Sequence, residues 1–174
     1  MIRRAEKRDT DRMLEIYAPY VSDTAISFEY APPAQDAFRQ RFDNITSRYP
    51  WIVWEEDGQV LGYAYGGMAF ERDAYRWDAD VSIYVDRNAR RKGIGTKLYD
   101  ALEDMLRKRG YCNLYALITA DNEASRRFHE ARGYVLEGTL KRSGYKFGKW
   151  YDVCWYCLNF PENDPENGDP KECD

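Results

Sequence analysis

The run Arg90-Arg91-Lys92-Gly93-Ile94-Gly95-Thr96 sets three adjacent cations against two glycines. An apolar strand, Val81 to Val85, leads into it. An apolar stripe at helical spacing (Ile94, Leu98, Ala101, Leu102, Met105 and Leu106) leads out. The first backbone N–H groups of a helix have no partner inside the helix, and the helix dipole adds partial positive charge at the same end. Glycines there let an anion come close to those N–H groups, so the turn suits a pyrophosphate. The other reading is a Gly-rich turn with solvated cations. The dinucleotide pattern Gly-x-Gly-x-x-Gly fails at Leu98, and the spacing of a phosphate loop fails as well.

Cysteine chemistry is the next candidate. Cys154-x-x-Cys157 has redox or zinc spacing, but it lies in Asp152-Val153-Cys154-Trp155-Tyr156-Cys157-Leu158-Asn159-Phe160, which reads as a strand. Residues three apart on a strand point to opposite faces. There is no second Cys pair, and His129 is the one histidine, so a zinc site lacks ligands. Buried free thiols are the better reading, and no metal is expected.

These residues need elements to hold them. Ile2 to Ala5 reads as a short edge strand. Met13, Leu14, Tyr17 and Tyr20 share a helical face from Thr10 to Val21. Ser22 to Pro33 is an extended loop. Pro33 opens a helix carrying Phe38, Phe42, Ile45 and Tyr49, which Pro50 stops. Trp51 to Trp54 and Gln59 to Met68 are strands about a turn at Glu55-Glu56-Asp57-Gly58. A loop from Ala69 to Trp77 precedes the strand Asp78 to Val85. The helix after the basic turn ends near Arg109-Gly110. Leu114, Ala116 and Ile118 mark a strand, and Asn122 can cap a helix from Glu123 to Arg132. Tyr134 to Thr139 and Val153 to Phe160 are the last strands, with a hairpin-like loop between them. The order predicts one α+β domain, an α/β sandwich over residues 1–160. Residues 161–174 are acidic and nearly free of hydrophobes, and disorder is expected there.

Composition excludes several classes. The chain has 174 residues and a formal net charge of −4, which argues against a broad nucleic-acid-binding face. No apolar run approaches the roughly 18 to 20 residues that span a bilayer. Met1-Ile2-Arg3-Arg4-Ala5-Glu6 has no hydrophobic signal core, so a cytoplasmic setting is expected.

Arg90-x-x-Gly93-x-Gly95 between a strand and a helix resembles the acetyl-CoA motif of the GNAT N-acetyltransferases. Asn122-Glu123-Ala124-Ser125-Arg126-Arg127-Phe128-His129-Glu130-Ala131-Arg132-Gly133-Tyr134 is similar to a second segment of that family. The likeness covers about Ile2 to Phe160. His at 129, the Gly144-to-Val153 and Ala74-to-Val85 segments, and the Tyr17-x-x-Tyr20…Ala25-Ile26-Ser27-Phe28 region look like the phosphinothricin and methionine sulfoximine N-acetyltransferases.

That resemblance implies a mixed, largely antiparallel sheet flanked by helices, acetyl-CoA as cosubstrate, a small amino acid as acceptor and a homodimer. It implies that Ile83, Tyr84 and Val85, the turn Arg90 to Thr96, Asn122 and Ser125 hold acetyl-CoA. A plain N-cap is the other reading of Asn122. A backbone N–H near Tyr84 and Val85 would meet the oxyanion. Asp80 stands where the subgroup usually carries a Glu base; it is one methylene shorter and would act directly or through a held water, or the base would lie elsewhere and Asp80 would be an ordinary strand-end carboxylate. His129 replaces a Tyr that often acts as acid toward the leaving thiolate. Phe28, Arg72, Arg76, Tyr75 and Lys146 are candidates for the acceptor, the cations for its carboxylate, and Trp150 for a further apolar wall. Two alternatives stay open: another amine (a polyamine, an aminoglycoside, a protein N-terminus or lysine) or a silent acyl-CoA sensor.

Overall fold

The computed structural model describes residues 1–89 and 93–171. Seven strands form one sheet: β1 (Ile2–Arg4), β2 (Trp51–Glu56), β3 (Gln59–Met68), β4 (Asp78–Val85), β5 (Asn113–Thr119), β6 (Val135–Lys146) and β7 (Lys149–Asn159). Four α-helices accompany them: α1 (Thr10–Asp23), α2 (Gln35–Thr46), α3 (Ile94–Lys108) and α4 (Glu123–Glu130). The sheet order is β1-β2-β3-β4-β5-β7-β6, and β4–β5 is its one parallel pair among the described residues. This is the expected element order and the expected α+β class.

Strand alternation sorts the core onto two faces. Ile52 and Ala64 join the α3 stripe, where Leu98, Leu102 and Leu106 are fully buried. Trp51, Val53 and Tyr63 turn the other way, onto Met13, Tyr17, Phe38 and Phe42 of α1 and α2.

Several boundaries differ from expectation. Helix α2 begins at Gln35 behind an Ala34 cap, and Tyr49 lies beyond its end. The expected loop between the last strands is a tight hairpin: β6 and β7 pair as far as Lys146↔Lys149. Phe147 and Gly148 alone make the turn, with φ of 50° and 74°. Both central residues at positive φ match the twist of an antiparallel pair, so the strands run on through residues that look like a loop.

The segment after Phe160, expected to be disordered, is laid against the sheet end through residue 171. Asn163 Nδ2 donates to the carbonyls of Arg107 and Tyr111 at 2.8 and 2.6 Å. Trp77 Nε1 donates to Gly168 O, and Arg76 pairs with Asp169. These are polar contacts, which a composition argument built on hydrophobes does not register. No helix among the described residues is long and apolar enough to cross a membrane.

Candidate active site

Strands β4 and β5 pair only over Asp78–Asp80 with Asn113–Tyr115. Beyond that, β4 stays with β3 as far as Gly62↔Val85, while β5 stays with β7 as far as Thr119↔Val153. A cleft therefore opens between the two strands. Val81, Ser82, Ile83 and Tyr84 line one side and Ala116 to Thr119 the other, with Asn122, Ser125 and His129 of α4 at one end. From Val81 onward β4 has lost its β5 partner, so alternate backbone groups on that edge are left for a ligand.

Helix α1 braces the open strand. The Tyr84 ring meets Tyr17, Tyr20 and Tyr63, with centroids 4.7, 5.2 and 5.5 Å away. Tyr20 Oη donates to Val85 O at 2.5 Å and lies 3.3 Å from Val85 N. Of the expected oxyanion donors, Val85 is thus already engaged by Tyr20. The Tyr84 backbone is turned toward Tyr63 of β3, so of these residues Ile83 is the one whose backbone is left facing the cleft.

The first turn of α3 lies beside the β4 wall of the cleft, at Ile83. Gly93 caps the helix in the left-handed region, φ 72°, which explains a glycine there. At Gly95 a Cβ would make only ordinary contact, 3.6 Å from Ile83 Cδ1, so that glycine answers no steric demand within the chain. The Ile94 side chain is core, 2% exposed, which leaves only its backbone for an anion; Thr96 is exposed. Arg90, Arg91 and Lys92 lie outside the described residues.

On α4, Asn122 Oδ1 accepts from Ser125 N–H, so Asn122 is an N-cap as well as a cleft residue. His129 is 3% exposed. Its Nδ1 is 2.8 Å from Ser125 O and its Nε2 2.8 Å from Tyr99 Oη. Burial lowers its pKa, the Ser125 carbonyl opposes this, and Arg132 adds to it.

Asp80 lines a cavity of about 310 Å³ with Met68, Tyr115, Leu117 and Trp155. Burial raises its pKa to about 7, against the Val81 backbone N–H. A carboxylate tuned to that value exchanges protons near neutrality. Leu117 and Trp155 are shared with a second cavity of about 530 Å³, whose walls include Phe28, Leu140, Tyr145 and Val153. Leu117 also lines the β4–β5 cleft, so the three spaces adjoin there.

The acceptor candidates divide. Phe28 faces the larger cavity. Arg72 and Tyr75 line a neighbouring cavity of about 310 Å³ across Met68, and among the described residues nothing pairs with the exposed Arg72 guanidinium. Trp150 is half exposed near the hairpin tip, against Tyr145. Lys146 is a correction. It is 2% exposed, and Nζ donates to Val21 O, Thr24 O and Ser27 O at 2.6, 2.9 and 2.6 Å. All three of its N–H groups are used to hold the loop after α1, so it has none for a substrate carboxylate.

Cys154 and Cys157 are buried free thiols, and burial lifts Cys157 to about 11. Cys157 offers no ready thiolate. Cys173 lies outside the described residues. Among those described, no group of three His, Cys, Asp or Glu side chains is placed to hold a metal. Sequence reasoning missed Tyr99, Leu117 and Trp155. Tyr99 follows Leu98 on an apolar helix face and looks like plain core. Leu117 and Trp155 are paired with each other in β5–β7 and look like ordinary strand positions.

The family described as "Acetyltransferase (GNAT) domain" matches residues 2–155. A phosphinothricin N-acetyltransferase of Streptomyces viridochromogenes is 34% identical over 159 residues, covering 91% of this chain and 87% of that protein. An L-methionine sulfoximine/L-methionine sulfone acetyltransferase of Salmonella typhimurium is 33% identical, covering 93% and 95%. The structure of a GNAT superfamily phosphinothricin acetyltransferase from Sinorhizobium meliloti in complex with AcCoA superposes with a TM-score of 0.90 at 33% identity, covering 99% of this chain and 93% of that one.

Proposed function

The chain belongs to the GNAT acetyltransferase family, as an N-acetyltransferase that uses acetyl-CoA, and we propose that its acceptor is the α-amine of a small amino acid or analogue of the phosphinothricin or methionine sulfoximine type, attacked directly with both substrates bound.

The residues suit that chemistry. The open edge of β4 at Ile83 offers backbone partners to an amide-bearing arm laid between the strands, while the Tyr84 backbone is turned toward Tyr63 of β3. Asn122 and Ser125 stand at the same end. The left-handed cap at Gly93 and the bare Gly95 leave the α3 N-terminus open to a pyrophosphate, with Thr96 in its first turn; Arg90, Arg91 and Lys92 precede it in the sequence. Acetyl-CoA supplies an activated thioester; the protein places the amine and moves its proton.

Asp80 carries this reading. An ammonium has no lone pair and must first lose a proton. A carboxylate with a pKa of about 7, on the wall of the cavity that adjoins the cleft, is matched to take it. A backbone N–H of the open strand then meets the charge that develops on the thioester oxygen. The thiolate departs at the His129 end. The apolar walls at Phe28, Leu117 and Trp155 suit a short side chain, and Arg72 with Tyr75 suits the α-carboxylate side. A homodimer and a cytoplasmic setting belong to the same reading. The outer strand β6 exposes Val135, Leu136 and Leu140, an apolar edge that a second copy would cover.

The test is CoA release from acetyl-CoA against phosphinothricin, methionine sulfoximine, methionine sulfone, spermidine and a lysine peptide. Turnover on the amino-acid analogues, lost in Asp80→Ala, is expected. Turnover confined to spermidine or the peptide overturns the acceptor class. Acetyl-CoA binding without turnover on any amine makes the protein a sensor.

A further inference from the structure

This inference rests on acetyl transfer at the proposed site and concerns the group that meets the departing thiolate. His129 stands at the position the resemblance assigns to that task, yet both of its ring nitrogens are engaged. Nδ1 is 2.8 Å from Ser125 O, and a carbonyl only accepts, so Nδ1 holds the hydrogen. With its pKa below the usual 6.5, the ring is neutral near pH 7, and Nε2 bears a lone pair. That lone pair faces Tyr99 Oη at 2.8 Å, which must therefore be the donor. The Ser125 hydroxyl is 3.4 Å from Nδ1. The rings of Tyr99, Phe128 and Tyr134 wall the imidazole, with centroids 5.2, 5.4 and 5.0 Å away. The imidazole has no free N–H to offer the cleft.

The phenol that donates to it lines that same cleft, beside Ile83, Tyr84, Asn122 and Ser125. We infer that the Tyr99 hydroxyl is the hydrogen-bond donor to the thiolate as the C–S bond breaks, and that His129 is the positioning residue that aims it. The electron pair of the C–S bond goes to sulfur as the C–N bond forms. The ammonium gives one proton to Asp80 and on to solvent before attack, nitrogen loses a second to solvent as the amide forms, and sulfur takes one from solvent after departure, so one proton is released net and charge balances. Tyr99 keeps its own. Burial holds the phenol well above its usual 10, with Asp80 and Glu103 adding to the rise and Arg132 opposing. A thiol titrates near 8.5, so the O–H is shared with sulfur and not transferred. At rest its hydrogen lies on Nε2. A thiolate is a stronger base than this depressed imidazole, so the hydrogen turns to sulfur by rotation about the C–O bond, with the heavy atoms in place. Arg132, whose guanidinium carbon lies 5.4 Å from the Tyr99 ring centroid, is itself held by Glu103 and Asp100 at 2.6 and 2.7 Å.

His129 is the chain's one histidine, so its two ¹⁵N resonances report without ambiguity in the ligand-free protein. Tyr99→Phe is expected to move the Nε2 resonance and leave Nδ1 in place. It is expected to lower kcat by about tenfold or more while acetyl-CoA KM stays within about twofold. Tyr99→Phe/His129→Phe should be no slower than Tyr99→Phe, because the two residues act as one unit. Wild-type kcat should rise through about pH 7 with Asp80 and then stay level to about pH 9.5, since neither donor partner titrates there. CoA release is read with an amine and, as slow hydrolysis of acetyl-CoA, without one, so a wrong acceptor does not mask thiolate departure. If Tyr99→Phe unfolds, 3,5-difluorotyrosine at 99 keeps the shape and changes O–H acidity; kcat should then move. An undiminished kcat in Tyr99→Phe, an unmoved kcat with the fluorinated ring, or a wild-type kcat that falls on the alkaline side in step with the NMR titration of His129 overturns the assignment and returns the donor role to the imidazole.

Discussion

The phenyl ring of Phe28 occupies the space that a side chain at position 144 would fill. A Cβ on Gly144 would overlap three of its ring carbons. Phe28 belongs to the loop after α1 and Gly144 to β6, where it pairs with Tyr151; the Phe28 and Tyr151 rings meet edge to face at 6.1 Å. One wall of the proposed acceptor cavity is thus set by the absence of a side chain on another element.

Gly144→Ala must push Phe28 into that cavity or out of it. Acceptor KM should rise by roughly tenfold, the size of one misplaced methylene in an apolar pocket, while acetyl-CoA KM is unchanged. Steady-state kinetics with each substrate varied in turn checks this. Equal losses for both substrates would sever the cavity from the acceptor.

Asp80→Asn should lower kcat by about two to four orders of magnitude and abolish the rise of activity through pH 7. It should also change stability with a definite sign. The folded pKa, about 7, lies above the unfolded value of about 3.9. The native state therefore binds more protons between those limits, and its stability falls as pH rises across them. The variant lacks that fall. Its melting temperature should equal or trail the wild type near pH 4 and lead it above pH 7, as calorimetry at several pH values would measure.

Gly93→Ala forces an L side chain into a left-handed cap, φ 72°, at about 1–2 kcal/mol. Acetyl-CoA affinity, measured by titration calorimetry, should drop. Gly95→Ala should leave stability unchanged, since only ordinary contacts await its Cβ, and weaken acetyl-CoA alone.

Lys146→Met should cost about 2–5 kcal/mol in denaturant unfolding, because three carbonyls lose a buried charged donor. Any kinetic defect should be equal for an amino acid and its carboxamide. Arg72→Gln should instead raise KM for the amino acid and spare the carboxamide.

The sequence by itself determined the element order, the sheet and helix faces, and the Gly93–Gly95 turn. These follow from period-2 and period-3.6 spacing and from residues of special backbone freedom, all of which are local. It also carried the motif positions of Asn122, Ser125 and His129, which are neighbours on one short helix. What the tertiary structure alone decided lies between elements. Lys146 looks like a free cation until the carbonyls of Val21, Thr24 and Ser27, more than a hundred residues away in sequence, use all its hydrogens. Tyr99 looks like core until His129 is set against its hydroxyl. Asp80 looks like an ordinary strand carboxylate until Met68, Tyr115, Leu117 and Trp155 surround it and lift its pKa. The hydrogen-bond partner and the surroundings of a group set its chemistry, and both come from segments distant in the chain, so no local pattern encodes them.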